Sequence, residues 1–280
     1  MATLGENSYG KSRVRLSRIT RDGNRHDFNE WTVRVLLHGD FESSFTEADN
    51  SKILPTDTMK NTVYSIARGS KALTLEKFAM ELGDYLLLNN PQIDKASIEI
   101  EEKAWERMEL GAEPEATTFK LGGPELQTVN AVRVRDGGWS ITSGVDGLVI
   151  LKTTKSAFTG YIKDKLTTLK PATDRIFGTC ATATWEFTSA SPDYAQVRSK
   201  VVAALLKEFA RHESMSVQHT LFDMGKVALA EVPEIARIKL TMPNLHHLLA
   251  DLSPFGQDNP NHIFVPIDEP HGYIEATIER

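Results

Sequence analysis

In PTDTMKNTVY, residues 55–64, an acid, an amine and an amide stand three and four positions apart: Asp57, Lys60 and Asn61. On a helix that spacing gathers them on one face, at the positive end of the helix dipole. Such a group can orient a bound polar molecule or simply fasten the helix end. Four other stretches carry residue types suited to binding. In MPNLHHLLADL, Pro243 breaks a strand and leaves Asn244 and His246 two apart and pointing the same way. A bend with a solvated Asn and a core-edge His fits the same pattern. In SVQHTLFDMG, Gln218 sits at a helix N-terminus, where free N–H groups favour an anion or a carbonyl, and where plain capping is the ordinary role. In AFTGYIKDKLTTLKPATDRIF a long irregular loop holds Phe158 and Arg175, and long structured loops are often functional. Arg175 reads equally well as a surface charge. YGKSRVRL puts Lys11 just before a strand, where a solvated lysine is the usual reading.

Several familiar chemistries are missing. The chain has no P-loop, no dinucleotide glycine fingerprint, no cysteine cluster and no His-Glu-x-x-His. Its only close histidine pair is His246-His247, and adjacent strand residues point to opposite faces, which makes a poor chelate. A metal-free site is therefore expected. The net charge of −6 over 280 residues is modest and the basic residues are dispersed, which argues against nucleic acid or an anionic membrane as partner. Cys180 is the single cysteine, so no disulfide can form within the chain and a cytosolic setting is expected. The longest apolar run, DYLLLNN, is far short of a membrane span. The chain ends Ile278-Glu279-Arg280 and not Ser-Lys-Leu, which points to a bacterial cytoplasm over a peroxisome.

The elements that must position these residues follow from periodicity. Residues 12–22 and Trp31, Val33, Val35 and Leu37 read as a strand pair. Helices are expected at 56–68, with Met59, Val63 and Ile66 on one face, and at 74–90, with Leu75, Phe78, Leu82 and Leu86 inward. Strands return in ASIEIEE, with Ile98 and Ile100 inward, and in NAVRVRD, where Val132 and Val134 alternate with Arg133 and Arg135.

The second half repeats that order. GLVILK (147–152) and TATWEFT (182–188) read as strands, Ser191-Pro192 opens a helix carrying Tyr194, Val197, Val201 and Leu205, and a second helix spans 217–232. Its apolar face is Leu221, Met224, Ala228 and Val232, and Pro233 ends it. RIKLTM and YIEATIER close the chain, with Ile238, Leu240 and Met242, then Ile274, Ala276 and Ile278, facing inward. The expected fold is α+β: two ββααββ units, residues 1–139 and 140–280, each an antiparallel sheet with a helix pair on one face. Exposed sheet edges are normally paired or covered, so the halves should join edge to edge, with room for other subunits to extend the sheet.

Six stretches together, YGKSRVRL, TDTMKNTVY, GLVILKTTKSAFTGYIKDKLTTLKPATDRI, SVQHTLFDMGK, MPNLHHLLADL and PFGQDNPNHIF, resemble in order and spacing the signatures of the urate oxidase (uricase) family. The resemblance runs from near Ser8 to the C-terminus. It implies the tunnelling fold (T-fold) and a homotetramer whose sheets close into barrels around a tunnel. The activity it implies is oxidation of urate by molecular oxygen to 5-hydroxyisourate and hydrogen peroxide, without cofactor, in purine degradation.

Carried onto this sequence, the resemblance gives Arg175 and Gln218 as a clamp on opposite edges of the purine, with Phe158 stacked on its face. Leu169 and the backbone N–H of Val217 complete the pocket. Lys11, Thr56 and His246 form a proton-handling group, Asn244 holds oxygen or water above the ring, and the Asp57 backbone touches the five-membered ring. Lys11, Thr56 and Asp57 come from a neighbouring subunit, while Lys60 and Asn61 only fasten the helix start. Three positions depart from the family pattern: Leu245, where lysine is usual, and Lys163 and Leu166, where arginine and tyrosine are usual. None falls on an implied contact. The alternatives are another T-fold enzyme acting on purine or pterin, which would need a metal-ligand cluster, and a purine-binding protein without catalysis.

Overall fold

The computed structural model describes residues 2–189 and 191–280, and the chain divides into two units, Met1–Gly144 and Val145–Arg280. In the first unit Trp31, Val33, Val35 and Leu37 are buried at every second position, so one face of their strand is core. The unit runs β1 (Tyr9–Asp22), β2 (Arg25–Gly39), a short α1 (Glu42–Thr46), α2 (Thr56–Gly69), α3 (Leu75–Asn89), β3 (Ile93–Arg107) and β4 (Phe119–Val134). The strands lie in chain order, β1-β2-β3-β4, all antiparallel. The α2–α3 pair, inserted between β2 and β3, covers the apolar face. Leu75, Phe78, Leu82 and Leu86 of α3 are buried, and the Phe78 ring stacks on Trp31 with centroids 4.7 Å apart. The Thr74 side chain caps α3 by accepting from the Lys77 N–H.

Two faces differ from expectation. On α2 the third buried residue is Ala67, and Ile66 is only partly covered. On β4 the core face carries Val129 and Ala131, while Val134 is 54% exposed. Near the end of β4 both sets of alternate positions carry apolar residues, Val129 and Ala131 on one and Val132 and Val134 on the other, and Arg133 and Arg135, in step with the buried set, reach past the sheet end. Arg133 bonds Asp84 of α3, and Arg135 donates to the Asn90 and Ile93 carbonyls that follow the helix. Their charged ends reach polar partners while their stems follow the core face.

β5 (Trp139–Lys152) starts after the turn at Gly137-Gly138, and the division between units falls within it. Its early residues serve the first core: Trp139 packs on Gly83, and the buried Ser143 hydroxyl donates to Glu76 at 2.6 Å. Its later residues, Val145 and Leu148, join the second core with Phe177 and Trp185.

The second unit continues with β6 (Phe177–Phe187), α4 (Tyr194–Arg211), α5 (Val217–Glu231), β7 (Ile235–Thr241), β8 (Asn244–Leu249), β9 (Phe264–Gly272) and β10 (Glu275–Glu279). The sheet order is β5-β6-β7-β10, and β8 pairs with both β6 and β9. The ββααββ order is thus present, with a β8–β9 hairpin added before its last strand. Pro243 makes the break that the sequence predicts: β7 pairs with β6 from Thr182 onward, and β8 takes over at Thr179 and Gly178. β9 was not expected, because Pro266 and Pro270 interrupt its pattern, and among the described residues it pairs only with β8. Ile278 is buried under Gly225 of α5, Ile274 is partly covered and Ala276 is exposed, against the expectation of three inward residues. Among the described residues, no helix is long and apolar enough to cross a membrane.

Candidate active site

The loop joining β5 to β6 carries three of the expected residues, Phe158, Leu169 and Arg175, and is tied shut. Phe158 and Ala172 exchange backbone hydrogen bonds of 2.7 and 3.1 Å. The Asp174 carboxylate accepts from the Thr154 hydroxyl at 2.7 Å and from the Ser156 N–H at 3.3 Å. The loop is also joined to the start of α5, since the Ala157 N–H donates to the Ser214 carbonyl and the Thr220 hydroxyl to the Ser214 hydroxyl, each at 2.7 Å. Ser216 caps α5 by accepting from the His219 N–H at 3.1 Å. The N–H groups of Val217 and Gln218 precede the first intrahelical acceptor and stay available.

These ties build one pocket of about 320 Å³ whose lining includes Phe158, Leu169, Arg175, Val217, Gln218, Asn244 and His246. Every residue that sequence reasoning placed in this half of the site is there. Asn244 is buried, Leu169 stands on the rim at 56% exposed, and none of Lys163, Leu166 and Leu245 lines the pocket. The Arg175 guanidinium lies 5.4 Å from the Phe158 ring centre, and its Nε is buried without a hydrogen-bond partner. Burial pulls the Arg175 pKa below its ordinary value, so an anionic ligand would recover interactions that folding withheld.

Two contributors were not anticipated. Tyr161 stacks against Phe158 with centroids 5.0 Å apart and planes 11° from parallel, and its hydroxyl donates to the Leu169 carbonyl at 2.6 Å. The signal in the sequence was a second aromatic three residues along the same loop. His247 also lines the pocket beside His246, although strict alternation would turn it away. The β8–β9 register shifts between Asn244 and His246, and that irregularity breaks the alternation.

Burial foremost, then the Arg175 guanidinium and His271, hold the His246 imidazole below the ordinary histidine range. That direction favours the neutral ring, able to accept a proton. By NMR titration His246 should protonate at lower pH than a free imidazole. Arg175→Gln should move that midpoint upward, because removing a positive neighbour lessens the cost of the imidazolium. A midpoint that stays put would show that Arg175 does not act on the ring.

The remaining expected residues lie in the first unit. The β1–β2 register shifts just after Lys11, where Arg13 takes a positive φ of 58°, and such a bulge re-aims the side chains beside it. Tyr9 brings the start of α2 to this strand: its hydroxyl accepts from the Leu54 N–H at 2.8 Å and donates to the Leu54 carbonyl at 3.2 Å. Thr56 and Asp57 are exposed in the first turn of α2. Lys60 bonds the Asp57 carboxylate, and Asn61 donates to it at 3.1 Å. Lys60 foremost, with smaller contributions from Asn61 and Lys11, keeps Asp57 below the usual carboxylate range. The three-residue cluster thus fastens the helix start, with Lys11 within electrostatic reach.

Tandem ββααββ units, each an antiparallel sheet with its helix pair, are those of the tunnelling fold, and the pocket offers a flat ligand an Arg–Gln pair and an aromatic wall. A model of the Uricase family matches residues 7–132 and 141–275. The chain belongs to the uricase family, and it is an enzyme of the oxidoreductase class. It is 39% identical to a uricase of Arthrobacter globiformis over 277 residues, covering 99% of this chain and 90% of that protein. It is 37% identical to a uricase of Dictyostelium discoideum over 282 residues, covering 100% and 98%. The crystal structure of the Arthrobacter globiformis uricase superposes with a TM-score of 0.94 at 38% identity, covering 100% of this chain and 96% of that one. A uricase structure from Bacillus fastidious, at 22% identity, shares the fold with a TM-score of 0.83, covering 99% and 94%.

Proposed function

We propose that this enzyme oxidises urate with molecular oxygen to 5-hydroxyisourate and hydrogen peroxide, using no metal or organic cofactor, as a homotetramer with sites shared between subunits. The observation that carries this reading is the single pocket joining Arg175, Gln218, Phe158, Asn244 and His246, with the Arg175 Nε buried and unpaired. Its volume of about 320 Å³ lies at the small end for ligand pockets, as suits one bicyclic ring.

The Arg175 fork presents parallel donors to a ring carbonyl and nitrogen, and the Gln218 amide gives one donor and one acceptor to the opposite edge. The Phe158 face contributes roughly 1–3 kcal/mol, as for base stacking on proteins. Leu169 and the Val217 N–H close the pocket edge. Two electrons leave the urate anion and reduce oxygen to peroxide, and water adds its hydroxyl to the oxidised ring, so urate, oxygen and water balance product and peroxide. Cationic Arg175 and Lys11 favour the deprotonated substrate that donates those electrons. Lys11 and Thr56 of a second copy relay the proton, with neutral His246 as the acceptor on this side. Asn244 holds oxygen or water above the ring, and the Asp57 backbone meets the five-membered ring.

Purified protein in air should abolish the urate absorbance band and consume oxygen at the same rate with and without EDTA. Loss of turnover in EDTA at an unchanged thermal midpoint, restored by one particular metal, would overturn the cofactor-free reading.

A further inference from the structure

At the corner between α4 and α5, outside the pocket, three side chains that the proposed reaction does not use converge. His212 follows the last turn of α4, and His219 and Asp223 stand four apart on α5, on one face of the helix. Asp223 Oδ2 lies 3.4 Å from His212 Nδ1 and 3.2 Å from His219 Nε2, and the three atoms fall within 4.8 Å of one another. Both separations exceed the distance of about 2.7–2.9 Å typical of a charge-assisted hydrogen bond. They match instead the edge of a tetrahedron of ligands about 2.1 Å from a central ion, roughly 3.4 Å.

Around these atoms the surroundings also suit an ion. Glu208 Oε1, one turn back on α4, is 3.5 Å from the same His212 nitrogen and adds a second carboxylate beside the three. The other Asp223 oxygen takes Lys226 Nζ at 3.3 Å, which fixes the carboxylate's direction in the way an outer-shell partner does. The His212 side chain is 9% exposed and that of His219 47%, so the cluster has a closed inner wall and an open outer edge. Two imidazoles with one or two carboxylates suit zinc, cobalt, nickel or copper and not the oxygen-only cations.

We infer that the α4–α5 corner binds one divalent transition-metal ion of the zinc class through His212, His219 and Asp223, with Glu208 beside them. The ion joins the end of α4 to the first turns of α5, the helix whose N-terminus carries Val217 and Gln218. Its work is to hold that corner, and no catalytic step passes through it.

The test uses full-length protein stripped with chelator. Titration with Zn²⁺ alone, followed by calorimetry, should show one ion per chain and a higher midpoint of thermal unfolding. Co²⁺ should give the visible absorption of a four-coordinate site. His219→Ala, at a half-exposed position that packing tolerates, and Asp223→Asn should each weaken Zn²⁺ binding by about 10- to 100-fold or more. His246→Ala and His247→Ala, in the pocket, should leave it unchanged. Absence of stoichiometric binding would mean a hydrogen-bonded triad only and would overturn the inference. So would binding that survives both His219→Ala and Asp223→Asn, or that is lost in the pocket variants. Each of these readouts is independent of urate turnover, so the site can fail while the proposed reaction stands.

Discussion

Replacing Arg175 with alanine should weaken binding of a non-oxidisable purine analogue such as 8-azaxanthine by roughly 10- to 150-fold. That range corresponds to about 1.5–3 kcal/mol for a hydrogen-bonded charged contact. The structure separates this loss from any loss of folding. Among the described residues the Arg175 side chain has no hydrogen-bond partner, and its Nε is buried and unsatisfied, so truncation removes its contact with the Phe158 ring but no hydrogen bond of the fold. The thermal midpoint of Arg175→Ala should match or slightly exceed that of the parent. Lys60→Ala and Asn61→Ala cut contacts to an exposed Asp57 and should change analogue affinity far less. Unchanged analogue affinity in Arg175→Ala would remove the arginine from the clamp. A large fall in thermal midpoint would instead give it a structural role.

Helix faces were legible because each side of an amphipathic helix carries one kind of residue. Leu75, Phe78, Leu82 and Leu86 are all buried, as are Leu221, Met224, Ala228 and Val232. β4 misled for the opposite reason. Both of its faces carry apolar residues near the strand end, and which one is core depends on the α3 helix that Arg133 reaches, a contact 49 residues away in sequence. The β8–β9 hairpin was half legible. Pro243 announced the break before β8, but the prolines of β9 hid a strand that is held by one neighbour alone.

The pocket residues could be named from motif order, but nothing local in the sequence shows that they meet. Phe158 and Arg175 converge through the Phe158–Ala172 bridge and the Asp174 bonds, and they reach Gln218 through Ser214 and Thr220. Apart from the Asp174 carboxylate, those ties are backbone groups and small hydroxyls with no chemical signature. The His212–His219–Asp223 cluster escaped for a related reason. A search for adjacent histidines sees one helix or strand at a time, and this cluster draws on two helices joined by a short turn.

Co-refolding Lys11→Ala chains with Arg175→Ala chains should recover roughly a quarter of wild-type activity from two inactive parents. The expectation starts from where the groups lie. Lys11, Thr56 and Asp57 belong to the first unit, and the pocket is built wholly from the second. In the proposed assembly the first-unit group of one copy completes the pocket of another. In an isologous pair of unlike variants, one site then collects both defects and the other collects neither. Random pairing makes half the pairs mixed, each with one intact site of two, which gives the quarter. The parents must be inactive for different reasons. Lys11→Ala should keep analogue affinity and lose turnover, whereas Arg175→Ala should lose affinity. The recovered fraction should therefore show wild-type KM with reduced kcat per chain. Mixtures shown by mass to contain mixed oligomers, yet as inactive as the parents, would place both groups of one site in a single chain and overturn the shared-site reading.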